Sequence, residues 1–183
     1  MAIPDFHLLA LGAALALLGA TRAHELSLSR RNERAMLGRG GYEAPGSRLP
    51  LFVALHAAMP IALLVEVVAL GARSGPLWPL WLALWLGAEW LRAASMRALG
   101  DRWSARIYVV PGEPPVRRGP YRFFAHPSYL AVTLELAALP LLFGAWRTAL
   151  GAGVVNALLL ALRIRSESRA LREAARAPFD PSR

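Results

Sequence analysis

The sequence predicts an all-α, polytopic membrane protein, and three observations lead to this fold class. The chain of 183 residues is 56% hydrophobic and has a mean hydropathy of +0.38. All 21 of its Lys and Arg positions are arginine, which gives a formal net charge of +9. The arginines lie mostly between long apolar runs, as in a membrane protein with basic loops and unlike a nucleic-acid-binding protein. Because the chain has no cysteine, disulfides and thiolate catalysis are excluded.

Five apolar runs predict about five transmembrane helices, since roughly 20 residues of helix cross a hydrocarbon core of about 30 Å. The runs cover residues 3–20, 49–70, 76–99, 129–146 and 148–162. Only a tight turn separates the last two runs, so we expect them to form an antiparallel helical hairpin. Residues 21–48 are polar and become glycine-rich, which predicts a solvated loop between the first two spans.

The distribution of arginine predicts an orientation. Nineteen arginines follow the first, third and fifth runs, whereas only Arg73 and Arg147 lie on the other side. Arginine-rich loops stay in the cytosol, so we expect the N-terminus outside and the C-terminus in the cytosol. Arginine without lysine, together with abundant alanine and glycine, is typical of a GC-rich bacterial genome, so we expect the membrane to be a bacterial inner membrane. We divide the chain into N-terminal membrane helices (1–99), a region with the candidate site and the hairpin (100–176) and a tail (177–183).

Several ionisable residues lie inside the apolar runs, where each costs about 2.5–3.5 kcal/mol or more at mid-helix and therefore needs a partner or a function. His56 and Glu66 are best explained as interhelical hydrogen-bonding groups. Glu89 and Arg92 are three residues apart and predict an ion pair on one helix face. Glu135 lies two turns into the fourth run, and we expect it at the rim of a substrate or cofactor pocket, with helix packing as the alternative.

The first segment that could carry chemistry is 117–129, RRGPYRFFAHPSY. Pro127 suits the first position of a helix, because its missing N–H would have no partner there. This fixes His126 just before the helix, where free N–H groups favour an anionic group such as a carboxylate. Tyr121 and Tyr129 add flat apolar faces for a ring. The alternative is that His126 is only part of a loop–helix junction.

The second segment is 163–171, RIRSESRAL, at the end of the fifth run. Arg163 and Glu167 are four residues apart and therefore share a helix face. They could form an ordinary helical salt bridge. In the functional interpretation, Glu167 receives a cationic group while Arg163 orients an acceptor oxygen.

Together, GPYRFFAHPSYL and RIRSESRAL resemble the isoprenylcysteine carboxyl methyltransferase family and its phospholipid methyltransferase relatives. Within that family the chain is similar to short bacterial members that methylate alkylpyrones or alkylresorcinols. The resemblance implies S-adenosylmethionine as the cofactor, in a pocket that faces the cytosol and contains no metal. It also implies a lipid-like acceptor that enters from the bilayer, with a carboxyl or hydroxyl group to be methylated.

The resemblance also implies roles for individual residues. The implied cofactor-binding residues are Pro115, Val116, Tyr121, His126 and Glu167. The implied catalytic residues are Arg163 and Glu167, and the implied substrate-binding residues are Arg122, Glu135 and Arg163.

Two positions depart from the family pattern. Ala125 stands where the family usually has arginine before His-Pro, and Ser168 stands where it has a second glutamate. The first departure leaves the role of that arginine vacant or passes it to Arg122. Both departures bear on the catalytic assignment and on a carboxyl group as the acceptor.

Three other functions remain open. A phospholipid N-methyltransferase would use the same cofactor on an ethanolamine nitrogen. An NADPH-dependent steroid-type reductase would need room for a larger dinucleotide, and no additional phosphate-binding segment is evident. A non-enzymatic membrane scaffold would bind no adenosyl ligand.

Overall fold

The structure, a computed structural model, describes residues 6–176 and confirms the all-α fold. Its five helices are α1 (Phe6–Gly38), α2 (Leu49–Leu64), α3 (Trp78–Leu99), α4 (Pro127–Leu142) and α5 (Trp146–Arg176). Three helical segments are long and apolar enough to cross a membrane: Phe6–Gly38, Leu49–Ala69 and Trp146–Arg172. The count of five spans stays a prediction, and the tail 177–183 lies outside the described residues.

The prediction of a solvated loop over residues 21–48 is wrong for most of its length. α1 continues without a break to Gly38, which makes it 33 residues long. The polar half stays helical because its buried face finds polar partners. Asn32, for example, donates from Nδ2 to the carbonyl oxygens of Gly100 at 3.1 Å and Trp103 at 2.9 Å. α5 continues beyond the fifth apolar run to Arg176, so Arg163 and Glu167 lie on one helix as expected.

A π-helical turn, Val65–Ala69, follows α2 and positions the Glu66 side chain against the start of α5. The Glu66 carboxylate accepts the backbone N–H of Arg147 at 3.1 Å, and both the N–H and the hydroxyl of Thr148 at 2.7 Å. These amides have no partner inside α5, so Glu66 supplies a cap from another helix. The interhelical role predicted for Glu66 is confirmed.

One end of the bundle is built around the turn between α4 and α5, where Gly144 has φ +76°. A Cβ atom on Gly144 would lie 2.0 Å from the carbonyl oxygen of Arg73, so only glycine allows this approach. Ser74 fastens the same turn by donating from its hydroxyl to the carbonyl of Leu142 at 2.6 Å. The α2–α3 connection therefore packs against the α4–α5 turn.

The opposite end gathers the α1–α2 and α3–α4 connections. A short ribbon forms there between β1 (Tyr42–Glu43) and β2 (Tyr108–Val109), antiparallel with Tyr42 opposite Val109. The ribbon was not predicted, because two residues per strand give no sequence pattern. Val109 belongs to a small core with Ala44, Ile107 and Ala170, so the ribbon seats the end of α5 on both connections.

The main core lies between the helices. Leu63, Leu136 and Leu139 are fully buried at its centre, and Trp85 of α3 packs against the same cluster. Since hydrocarbon tails are as apolar as these side chains, close van der Waals packing and interhelical hydrogen bonds hold such helices together. This core fixes α4 between α3 and α5, and with it the residues at the start of α4.

Candidate active site

The hydroxyl of Tyr129 joins the two segments singled out in the sequence. It donates a hydrogen bond to Oε2 of Glu167 at 2.5 Å and accepts one from Nε of Arg163 at 2.9 Å. Tyr129 lies in the first turn of α4, and its two partners lie one turn apart on α5. The predicted salt bridge between Arg163 and Glu167 is therefore replaced by a shared contact with a tyrosine.

His126 completes the contact between the two helices. Its ring stacks on that of Tyr129 with centroids 5.1 Å apart and planes 9° apart. Its Nδ1 lies 3.5 Å from Oε2 of Glu167. The side chains of His126 and Glu167 are 27% and 26% exposed, so a ligand can reach both from solvent. We call His126, Tyr129, Arg163 and Glu167 the tyrosine cluster.

Arg163 differs from its neighbours because it is buried, with 7% of its surface exposed. Besides Tyr129, it donates from Nη1 to the carbonyl of Ser47 at 3.2 Å and from Nη2 to that of Ala105 at 2.6 Å. Its guanidinium also lies over the ring of Phe52, 5.1 Å from the centroid. All three nitrogen atoms therefore hold parts of the protein, as expected of a planar donor that is pre-organised for several acceptors.

The start of α4 offers fewer free amides than the sequence suggests. Pro127 has no N–H, and the amides of Tyr129 and Leu130 donate to the carbonyl of His126 at 3.1 and 3.2 Å. Within the described structure, this leaves the amide of Ser128 as the one in this turn without a hydrogen bond. An anionic group at this helix start would thus meet one amide rather than several.

Tyr121 lies beside this turn, in a 3-10 helix at Gly119–Arg122. Its hydroxyl is 3.2 Å from Oγ of Ser128. Burial raises the pKa of the Tyr121 hydroxyl above its ordinary value, and the nearby carboxylate of Glu167 acts in the same direction. Tyr121 is therefore a neutral hydrogen-bonding group at physiological pH.

Pro115, Val116 and Arg122 lie in the connection that leads to α4. Pro115 is exposed and Val116 is half-buried. The preceding carbonyl, of Pro114, accepts a hydrogen bond from Arg102 at 2.5 Å, which ties this loop to the end of α3. Arg122 is exposed, and its guanidinium lies 6.0 Å from the ring centroid of Phe123. Among the described residues, these three make no hydrogen bond to the tyrosine cluster.

Glu135 is fully buried and belongs to a separate group of charges between α1, α3 and α4. Its Oε2 pairs with Arg92 and lies 3.2 Å from Nη2 of Arg22. Arg22 also binds Glu25, at 2.7 Å, and Arg92 lies 3.6 Å from the same carboxylate. We call Arg22, Glu25, Arg92 and Glu135 the charge cluster. The ion pair predicted within α3 is wrong, because Arg92 turns to Glu25 and Glu135 instead.

Sequence reasoning gave Tyr129 only a generic aromatic role and missed its place between Arg163 and Glu167. The available signal was its position three residues after His126, which puts both side chains on adjacent parts of the first helical turn. The backbone carbonyls of Ser47 and Ala105 carried no signal, because every residue has one.

Comparison with known proteins identifies the family. A model of the isoprenylcysteine carboxyl methyltransferase family matches residues 81–173, just over half of the chain. The chain belongs to this family. The matched region contains the whole tyrosine cluster, and its family makes the protein a membrane methyltransferase.

Two bacterial proteins are similar to this chain over most of its length. YpbQ of Bacillus subtilis is 34% identical over 159 residues, which is 87% of this chain and 95% of that protein. An uncharacterized protein of Haemophilus influenzae is 28% identical over 153 residues, 83% of this chain and 89% of the relative. No solved structure matches the chain significantly.

Proposed function

We propose that the protein is an S-adenosylmethionine-dependent O-methyltransferase that acts on a lipophilic acceptor. Suitable acceptors are an alkylpyrone, an alkylresorcinol, or a prenyl or lipid-like compound with a carboxyl or hydroxyl group. The observation that carries this proposal is the meeting of His126 and Tyr129 with Glu167 at one end of the bundle. These residues come from the two segments that define the family resemblance.

The residues present fit the charges of the cofactor. Glu167 offers a partly exposed carboxylate to the ammonium group of the methionine portion. The Tyr129 hydroxyl holds Oε2 of Glu167, so the carboxylate is already ordered before a ligand binds. Less conformational entropy is therefore lost on binding. The free amide of Ser128 and the neutral hydroxyl of Tyr121 are donors for the carboxylate end. We propose that Pro115, Val116 and His126 would line the same pocket and supply apolar surface.

When bound, S-adenosylmethionine supplies a methyl group that is already activated on a sulfonium. The protein therefore needs to orient the acceptor oxygen and exclude water more than to transfer protons. We propose that Arg163 acts mainly as a positioning residue, because its nitrogen atoms are used by Tyr129, Ser47 and Ala105. The exposed Arg122 is then available to the acceptor.

We propose that Glu135 influences the acceptor only indirectly. It is 0% exposed and bound to two arginines, so it cannot touch a substrate without dismantling the charge cluster. Its pairing holds α4 against α1 and α3, and α4 carries His126 and Tyr129. We therefore propose that Glu135 acts in helix packing, and not at the rim of a pocket as expected from the sequence.

We further propose that the tyrosine cluster faces the cytosol of a bacterial cell. The ends of the bundle support this orientation, because Arg73 and Arg147 lie together at the α4–α5 turn while the other arginines of the described residues lie toward the opposite end. By the positive-inside rule, the arginine-rich end is cytosolic. The acceptor would then reach the site sideways from the inner leaflet.

Calorimetric titration of the detergent-solubilised protein with S-adenosylhomocysteine and with NADPH tests the proposal. We expect the nucleoside to bind and NADPH not to bind. Glu167→Gln and His126→Ala should each weaken nucleoside binding. His56 bonds through Nδ1 to the Phe52 carbonyl at 2.8 Å, inside α2, so His56→Ala is the control that changes stability alone. Binding of NADPH without the nucleoside would favour the reductase and refute the proposal.

A further inference from the structure

The polar half of α1 carries a basic groove that lies on the face turned away from the other helices. The groove has a volume of about 440 Å³ and is lined by Ala23, Leu26, Ser27, Arg30, Arg31 and Arg34. All six residues are exposed. The buried face of the same half-helix, Ser29, Asn32 and Met36, is on the opposite side at 100° per residue.

No described carboxylate neutralises the three arginines of this basic groove. Within the described residues, no carboxylate lies within ion-pairing distance of Arg30, Arg31 or Arg34. Two other arginines on or just after α1 behave differently. Arg22 is held in the charge cluster, and Arg39 binds Asp101 at 2.5 Å and Glu113 at 3.1 Å. Within residues 6–172, three adjacent positive charges are therefore left without a carboxylate partner and can receive an anionic ligand.

The position of the basic groove along α1 matches the depth of lipid headgroups, given the orientation proposed above. From Phe6 to Leu26 the helix rises about 30 Å, the thickness of a hydrocarbon core, and Arg22 and Glu25 in this stretch are paired inside the bundle in the charge cluster. Ser27 to Arg34 then cover about the next 10 Å, so Ser27 and Arg30 lie in the headgroup layer of about 5–7 Å and Arg34 lies at its cytosolic edge. Ala23 and Leu26 lie at the hydrocarbon end of the groove, and the arginines lie beyond them.

We propose that the basic groove binds the phosphodiester headgroup of an anionic glycerophospholipid from the cytosolic leaflet. Arg30 and Arg34 are one turn apart on the same face, so both guanidinium groups can donate to one phosphate. Ser27 adds a hydroxyl on the bilayer side, and the acyl chains leave along Ala23 and Leu26. Such a lipid would anchor α1, which contributes Arg22 and Glu25 to the charge cluster behind α4.

Native mass spectrometry of the full-length protein in detergent tests this site, with phosphatidylglycerol and phosphatidylcholine added at equal concentration. We expect the protein to retain phosphatidylglycerol preferentially. The variant Arg30→Gln with Arg34→Gln should lose this preference by roughly fivefold per arginine, or about 25-fold for the pair. Arg97→Gln with Arg172→Gln is the matched control, because it removes the same charge from exposed positions on α3 and α5.

Three results would overturn the proposal. Equal loss in both double variants would show that net charge, not the groove, attracts the lipid. An unchanged preference in Arg30→Gln with Arg34→Gln would place the lipid elsewhere. Displacement of phosphatidylglycerol by millimolar inorganic phosphate would indicate a site for a free anion instead. Because retention of lipid requires no methyl transfer, these outcomes are independent of whether the proposed reaction is correct.

Discussion

The replacement Tyr129→Phe removes a single oxygen atom from the centre of the tyrosine cluster. The ring stays, so its stacking on His126 is preserved, but the hydrogen bonds to Glu167 and from Arg163 are lost. Arg163 keeps its bonds to the carbonyls of Ser47 and Ala105 and remains in place. The change therefore isolates the hydroxyl from the rest of the site.

Two different costs follow from the burial of each partner. Nε of Arg163 is left without an acceptor in a side chain that is 7% exposed, which costs about 1–3 kcal/mol. Water can replace the lost donor at Glu167, since that side chain is 26% exposed. Glu167 then becomes free to rotate, and ordering it again on ligand binding costs about 0.5–1.5 kcal/mol.

We expect Tyr129→Phe to lower the unfolding temperature in detergent by roughly 4–8 °C. This range follows from a loss of about 2 kcal/mol of stability, since each kcal/mol shifts the unfolding temperature of a chain of this size by about 2–4 °C. Calorimetry should show S-adenosylhomocysteine binding about three- to tenfold more weakly. Tyr42→Phe is the matched control, because Tyr42 is 41% exposed and lies in β1. If Tyr129→Phe behaves like this control in both measurements, the hydroxyl does not organise the site. A lower unfolding temperature with unchanged affinity would remove Glu167 from the cofactor site.

Three further predictions concern other parts of the molecule. Arg92→Met should destabilise the protein by about 1–3 kcal/mol, because the buried Glu135 loses one of its two arginine partners and keeps Arg22. Arg92→Met with Glu135→Leu should recover most of this loss in thermal unfolding. Equal damage in the single and double variants would contradict this account. Gly144→Ala should abolish the folded protein in size-exclusion chromatography, because a Cβ atom would overlap a backbone oxygen at 2.0 Å, whereas Gly75→Ala, with nothing within 4 Å, should be neutral. Burial raises the pKa of the Tyr121 hydroxyl above its unfolded value of about 10. The hydroxyl therefore stabilises the folded protein fully at pH values below about 10, and this contribution is lost as the pH rises through the folded pKa. The unfolding free energy of Tyr121→Phe minus that of the wild type should therefore be constant below about pH 9 and rise above pH 10. A change in this difference between pH 6 and 8 would refute the raised pKa of Tyr121.

The parts of the fold that could be predicted from sequence are those with a repeated pattern. Long apolar runs gave the helices, and the short turn at Gly144 gave the hairpin of α4 and α5. The polar half of α1 could not be recognised because its helix is stabilised by partners distant in sequence. Asn32, for instance, bonds to carbonyls 68 and 71 residues away.

The same distinction explains what could be predicted of the site. Arg163 and Glu167 share a helix face, and His126 precedes a helix, so these residues were recognisable one segment at a time. Their mutual geometry depends on Tyr129, whose hydroxyl could have pointed to either neighbouring helix. The partners of Glu135 could not be predicted for a related reason, since its arginines come from α1 and α3, 113 and 43 residues away.

Arg163 shows how the site depends on the whole end of the bundle that carries the tyrosine cluster. Its three nitrogen atoms hold the α1–α2 connection through Ser47, the α3–α4 connection through Ala105, and α4 through Tyr129. A lysine could not bond all three acceptors in the same plane, which explains why a guanidinium is needed here. Because Glu167 is held by the same tyrosine hydroxyl, any shift of either connection is transmitted to the carboxylate. The two connections therefore set the geometry of the proposed cofactor site although neither carries one of its charged groups.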